Sequence, residues 1–177
     1  MTYITRALLL AVLLLSTAGM LQAQELDEHL SAFAPIVGKT WRGLLSEPGA
    51  EKEAWDVSRW ERALNGKAIR ILHSVNDGEY GGETIMYWNR DEEAIQYYYF
   101  TTAGFMTQGS IEVTDDGFTA HEVVTGNANG ITEVRSTSTL QEDGSMIGRS
   151  EYLKNGKWVP GHEIQYREDP GAEVRFR

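Results

Sequence analysis

"IQYYYFTTAGF", residues 95–105, sets four rings in succession, Tyr97, Tyr98, Tyr99 and Phe100, ahead of a small-residue turn. On a helix these rings would spread around the whole cylinder. On a strand Tyr97 and Tyr99 share one face, and Tyr98 and Phe100 share the other. Aromatic side chains suit a pleated surface. The stretch therefore predicts a wall strand, with one face lining an interior and the other placed under a loop or against a partner.

Working outward from this strand, turn signals recur every ten to thirteen residues or so. They are Glu47-Pro48-Gly49, Asn65-Gly66, Asn76-Asp77-Gly78, Asn89-Arg90-Asp91, Ala103-Gly104, Asp115-Asp116-Gly117, Asn127 to Gly130, Glu142-Asp143-Gly144, Asn155-Gly156 and Asp169-Pro170-Gly171. Such dipeptides supply positive φ or preset a bend. The segments between them are rich in β-branched and aromatic residues, and none leaves room for a crossover helix, which parallel pairing needs. The reading is an all-β chain of about ten antiparallel strands in sequence order. A sheet of that size with nothing to cover its apolar face closes on itself, as an up-and-down barrel. A two-sheet sandwich is the structural alternative.

One short helix is expected at the start, where Leu26, Leu30 and Phe33 recur at i, i+4 and i+7 and Pro35 marks its end. Before it, residues 1–23 carry one charge, Arg6, then the apolar run Ala7 to Leu15, and close on Leu21-Gln22-Ala23. This is the pattern of a secretory signal cut after Ala23, too short to span a bilayer. The remainder, 24–177, is one domain, expected to be periplasmic or secreted. There is no cysteine, so disulfides are excluded and the domain relies on its own core. Loss of Arg6 leaves 15 basic against 26 acidic residues, a net charge of −11. That surface repels nucleic acid and anionic headgroups. The expected partner is a small apolar or amphipathic molecule, with no integral membrane segment in the mature chain.

Pairing across Glu142-Asp143-Gly144 sets Leu140 opposite Met146, Ser138 opposite Gly148, Ser136 opposite Ser150 and Val134 opposite Tyr152. This face is small in the middle and predicts open space inside. The alternate face pairs Thr137 with Arg149 and Arg135 with Glu151, a cross-strand ion pair for the solvent side.

The stretch "VGKTWRG", Val37 to Gly43, follows the short helix and opens the first strand with Trp41. With Gly38, Trp41 and Gly43 in this order before a meander of hairpins, the chain resembles the lipocalin-like barrels of the calycin group. Through "WERALNGKAIRILHSVNDG" and the Tyr97 to Phe100 strand it looks most like secreted bacterial members of that group. More distantly it resembles the nitrobindin-type haem-binding barrels. The resemblance implies a barrel with Trp41 plugging one end and a ligand held inside. It also implies that some such barrels catalyse isomerisation or decarboxylation with cavity tyrosine, arginine and glutamate.

No nucleophile elbow, phosphate loop or dinucleotide fingerprint is present, and the four histidines lack zinc spacing. His73 shares its strand face with Ile69, Ile71 and Val75. His162 shares the phase of Trp158, Ile164 and Tyr166, just after Pro160-Gly161, where a bulge is expected. Each is read either as a hydrogen-bonded core histidine or as a polar handle on a ligand. Resemblance to the haem barrels makes His162 the candidate axial ligand, should haem be the cofactor. The candidate ligand-binding set is Trp41, His73, Tyr87, Tyr97, Tyr99, His162 and Tyr166. Arg70 joins them for the enzymatic alternative, with Glu61, Glu83 or Glu163 as possible carboxylates. Binding protein, barrel enzyme and filled structural module are the three classes carried forward.

Overall fold

The computed structural model describes residues 25–45, 51–124 and 130–177. The expected signal at 1–23, the Glu47-Pro48-Gly49 turn and most of the Asn127 to Gly130 turn lie outside the described residues. Ten strands follow one another: β1 Thr40–Leu44, β2 Trp55–Ala63, β3 Ala68–Val75, β4 Tyr80–Asn89, β5 Ala94–Thr101, β6 Met106–Val113, β7 Gly117–Val123, β8 Ile131–Leu140, β9 Met146–Lys154 and β10 Lys157–Glu168. Each pairs antiparallel with its neighbour in sequence, and β1 pairs with β10 through Trp41↔Glu168, Arg42↔Arg167 and Gly43↔Tyr166. The sheet is thus a closed barrel, not a sandwich, and no edge strand is left exposed.

The turns are made where the sequence marks them. Asn65, Asn76, Asp77 and Asn155 take positive φ, each with a glycine close behind it. These residues tolerate the left-handed region that tight hairpins demand.

The N-terminal element is a 3-10 turn, Glu28–Phe33, rather than an α-helix. Asp27 caps it by accepting from the His29 amide. In a 3-10 turn residues i and i+3 eclipse, so Leu30 and Phe33 point together into the barrel end, where both are fully buried. They pack with Ile36, Trp41, Trp60 and Phe118. Trp41 is 1% exposed and donates its indole N–H to the Ile36 carbonyl at 3.3 Å. One end of the barrel is therefore sealed by aromatic packing.

Which residues face inward follows from register. Across β4 and β5 the pairs are Thr84↔Tyr99, Met86↔Tyr97 and Trp88↔Ile95. An even position on β4 thus shares the face of an odd position on β5. The same alternation of parity holds between β1 and β2, β2 and β3, β3 and β4, and β6 and β7. The pairs β5/β6, β7/β8 and β8/β9 keep parity, the last with Val134↔Tyr152 and Ser136↔Ser150 as the sequence predicts. The Arg135–Glu151 ion pair also forms as expected, on the outer face.

Candidate functional site

The half of the barrel away from the seal is hollow. A cavity of about 490 Å³ opens at the end formed by the β3–β4 and β9–β10 turns, with Trp60 at its floor. Tyr97 and Tyr99 from β5 form one wall; Ser150 and Tyr152 from β9, and His162, Ile164 and Tyr166 from β10, form the opposite one. Val134 and Ser136 bring the small face of β8 to the same space.

Two tyrosines owe their positions to glycine. A side chain on Gly82 would collide with the Tyr99 ring, and a Cβ on Gly109 would sit 2.7 Å from the Tyr97 hydroxyl. Bare backbone at these inward positions lets each ring lie against the wall.

A chain of polar groups crosses the cavity. Asp56, 5% exposed, accepts at Oδ2 from the Tyr166 hydroxyl at 2.8 Å, and its Oδ1 lies 2.9 Å from His73 Nδ1. A carboxylate only accepts, so Nδ1 carries the proton. Nε2 of His73 then meets the Tyr99 hydroxyl at 2.7 Å, and that hydroxyl meets Tyr80 at 3.0 Å. With His73 neutral, donation runs from Tyr80 through Tyr99 to His73. With His73 protonated, Nε2 donates and the two hydroxyl bonds reverse, so Tyr80 ends the chain as a donor into the cavity. Burial pushes the Tyr99 and Tyr166 hydroxyls far above the ordinary phenol range, with the Asp56 charge adding to it. Both stay protonated across all ordinary pH.

Glu122 from β7 is the second cavity carboxylate. Burial raises its pKa. The Tyr97 hydroxyl donates to it at a long 3.4 Å. The Thr107 hydroxyl lies beside it and lowers its pKa somewhat, yet has no hydrogen bond of good geometry. No cationic side chain pairs with Glu122 among the described residues.

The strand β10 changes phase midway. Its register against β9 shifts between Pro160 and Glu163. Val159 therefore faces inward opposite Tyr152, while beyond the bulge the even positions His162, Ile164 and Tyr166 do so. Trp158 does not share their face as expected; it lies outside under the Arg135 guanidinium, 4.9 Å from the ring centre. The His162 amide donates to Ser150 Oγ, and its Nδ1 is 2.8 Å from the Tyr152 hydroxyl. His162 sits at the rim, lining both the cavity and an outer cleft beside Arg149 and Glu151. Partial burial lowers its pKa, so its neutral form is favoured.

Of the candidate residues, His73, Tyr97, Tyr99, His162 and Tyr166 converge on this cavity. Trp41 does not reach it and belongs to the sealed end. Tyr87 is corrected to the outer face, where it stacks on Tyr98 at 6.4 Å between ring centres. The parity offset across the β4–β5 turn is the cause. Tyr98 and Phe100 are 36% and 49% exposed, so no loop among the described residues covers the outer rings of the opening stretch. Arg70 is likewise outside, bidentate to Glu83 at 2.9 Å. Glu61 pairs with Arg59, and Glu163 with Arg149, so none of the three expected carboxylates enters the barrel. Asp56, Tyr80 and Glu122 are cavity residues that the sequence reading missed, while Tyr152 was placed on the inward face by its pairing with Val134 but not named as a site residue. Glu122 had a signal, because it interrupts the even apolar phase of Phe118, Ala120 and Val124.

Haem fits this donor set poorly. Among the described residues no lysine or arginine lines the cavity to meet two propionates, and Asp56 and Glu122 present like charge to them. Among the described residues no cluster of three His, Cys, Asp or Glu side chains is arranged to hold a metal ion.

No family model matches the chain, and no curated protein matches it. Thirteen solved chains do. One is Rv2717c from M. tuberculosis, at 13% identity and a TM-score of 0.57, covering 81% of this chain and 99% of that one. At that identity the likeness concerns the fold alone, and the class it supports is the closed antiparallel barrel.

Proposed function

We propose that this chain is an exported binding protein, periplasmic or secreted, whose barrel holds one small amphipathic molecule. The observation that carries this reading is the hollow half of the barrel. An interior of about 490 Å³ lies within the range of small-molecule pockets, roughly 300–1,000 Å³. Its lining combines aromatic rings with a few buried polar groups, the mixture that binds an apolar body and orients a polar end. Export rests on the basic start, short apolar run and Ala23 of residues 1–23. Among the described residues no helix is long and apolar enough to cross a membrane.

Titration with N-phenyl-1-naphthylamine, a neutral fluorescent probe, tests the cavity. The expected result is saturable 1:1 binding, as one cavity holds one guest, with quenching of tryptophan emission through Trp60 and at least tenfold weakening in Tyr99→Ala. Absence of saturable binding in the folded parent overturns the reading. Native mass spectrometry of protein from its own host then identifies what it carries.

A barrel enzyme is the second reading, favoured by the Asp56–His73–Tyr99–Tyr80 chain. A carboxylate that orients an imidazole, itself hydrogen-bonded to a phenol, is an arrangement suited to moving a proton. Its signature is deuterium uptake by ketone carbon acids in heavy water that is lost in His73→Asn.

A further inference from the structure

We propose that the cavity selects a guest carrying a protonated amine or quaternary ammonium group, seated at Glu122 between the aromatic walls. The proposal rests on the cavity being a binding site and names the charge class of what it takes. Its first ground is the imbalance of charge. Two carboxylates, Asp56 and Glu122, line the space, and among the described residues no lysine or arginine does. The internal segments 46–50 and 125–129 contain neither residue.

The two carboxylates differ in how they are satisfied. Asp56 is held by Tyr166 and His73 and is complete within the protein. Glu122 is met only weakly, by the Tyr97 hydroxyl at a long 3.4 Å and by the Thr107 hydroxyl beside it, whose geometry falls short of a good hydrogen bond. Glu122 is partly buried; a carboxylate drawn partly out of water without a cation is costly, and an ammonium group supplied by a guest offsets that cost.

The rings around it supply the rest. Tyr97, Tyr99, Tyr80, Tyr152 and Trp60 all line the cavity. Burial and the Tyr80 hydroxyl chiefly push the Tyr99 pKa up, and Tyr99 also lies in the field of both carboxylates, which add to it. Rings facing a desolvated cation attract it through their quadrupole, which is how aromatic cages recognise ammonium ligands. An anionic guest finds no lysine or arginine in this space among the described residues.

A matched series of probes tests this: 2-phenylethylamine, 2-phenylethanol and phenylacetate, which share a ring and differ in head-group charge. Isothermal titration of the intact mature protein at neutral pH is expected to give the amine at least tenfold tighter binding than the alcohol, with the carboxylate weakest. In Glu122→Gln, checked for folding by its melting curve, the amine and alcohol are expected to bind within about threefold of each other. Alcohol binding as tight as the amine in the parent, or an amine preference unchanged in Glu122→Gln, overturns the charge assignment and leaves small-molecule binding standing. If none of the three binds while N-phenyl-1-naphthylamine does, the charge assignment also falls. If that probe fails as well, the binding reading falls with it.

Discussion

Glu122 carries a titration opposite to that of most carboxylates in a folded protein. Burial raises its pKa, so the native state holds this proton more tightly than the unfolded chain does. The stability this contributes is fully present below the ordinary glutamate value and is lost as pH rises through the raised native value. His162, lowered by burial, behaves differently: the stability tied to its neutral form is lost as pH falls below the ordinary histidine value. Both chains keep His162, so it cancels in a comparison. Glu122→Gln is therefore expected to gain stability relative to the parent as pH rises from 4 to 8, read from urea midpoints. A difference that stays flat with pH would place Glu122 in contact with water.

Tyr166 makes a second residue-scale case. Its hydroxyl is one of the two side-chain partners that hold Asp56 in the cavity wall. Tyr166→Phe keeps the ring and removes only the donor, leaving a buried acceptor short of a bond. The expected cost is about 1–3 kcal/mol in denaturant unfolding. Tyr166 was legible as inward from the alternation of β10, whereas Asp56 was not. In "WDVSRW" nothing distinguishes the aspartate from the many solvating carboxylates of an acidic chain, because its partners come from β3 and β10.

Among the elements, β4 and β5 show how a turn decides faces. The stretch Tyr97 to Phe100 reads correctly as a strand with Tyr97 and Tyr99 inward, since period two is a property of one strand. Its neighbour does not read so directly. The Asn89↔Ala94 pairing makes the register sum odd, and Tyr87 goes outside while Met86, fully buried, goes in. Met86→Ala is accordingly expected to cost about 2–5 kcal/mol. Tyr87→Ala is expected to cost about 1 kcal/mol, the order of a partly exposed aromatic contact, and to leave N-phenyl-1-naphthylamine binding unchanged. A Tyr87→Ala variant that lost the probe would show that the register is wrong. The bulge in β10 is the same lesson inside one strand: an extra residue near Gly161 puts Trp158 and His162 on opposite faces.

For the molecule as a whole, closure and sealing are separate achievements. Pairing of β1 with β10 closes the sheet, and Trp41, Leu30, Phe33 and Ile36 seal one end. Trp41→Ala is expected to cost about 3–5 kcal/mol, because the cavity it leaves is walled by rigid strands. Export is tested directly: N-terminal sequencing of protein recovered outside the cytoplasm is expected to begin at Gln24, and Met1 found in place would count decisively against it.

By itself the sequence determined what is local. Strand periodicity, the Asn-Gly and Asp-Gly turns and the lack of crossover length prescribe an antiparallel meander. Ten strands with one uncovered apolar face favour closure over a sandwich, a choice that the β1–β10 pairing decides. It also determined the small inward face of Ser136 and Ser150 and the inward phase of Tyr97, Tyr99 and Tyr166. Only the tertiary structure decided which carboxylates and tyrosines meet. Asp56 and Tyr166 are 110 residues apart, and Tyr97 and Glu122 are joined through β6 standing between their strands. Such meetings depend on the parity of every intervening turn and on the stagger that closes the barrel. A change of one residue in any turn reverses a face, so the site is a sum over all ten registers, and no single stretch of the chain contains it.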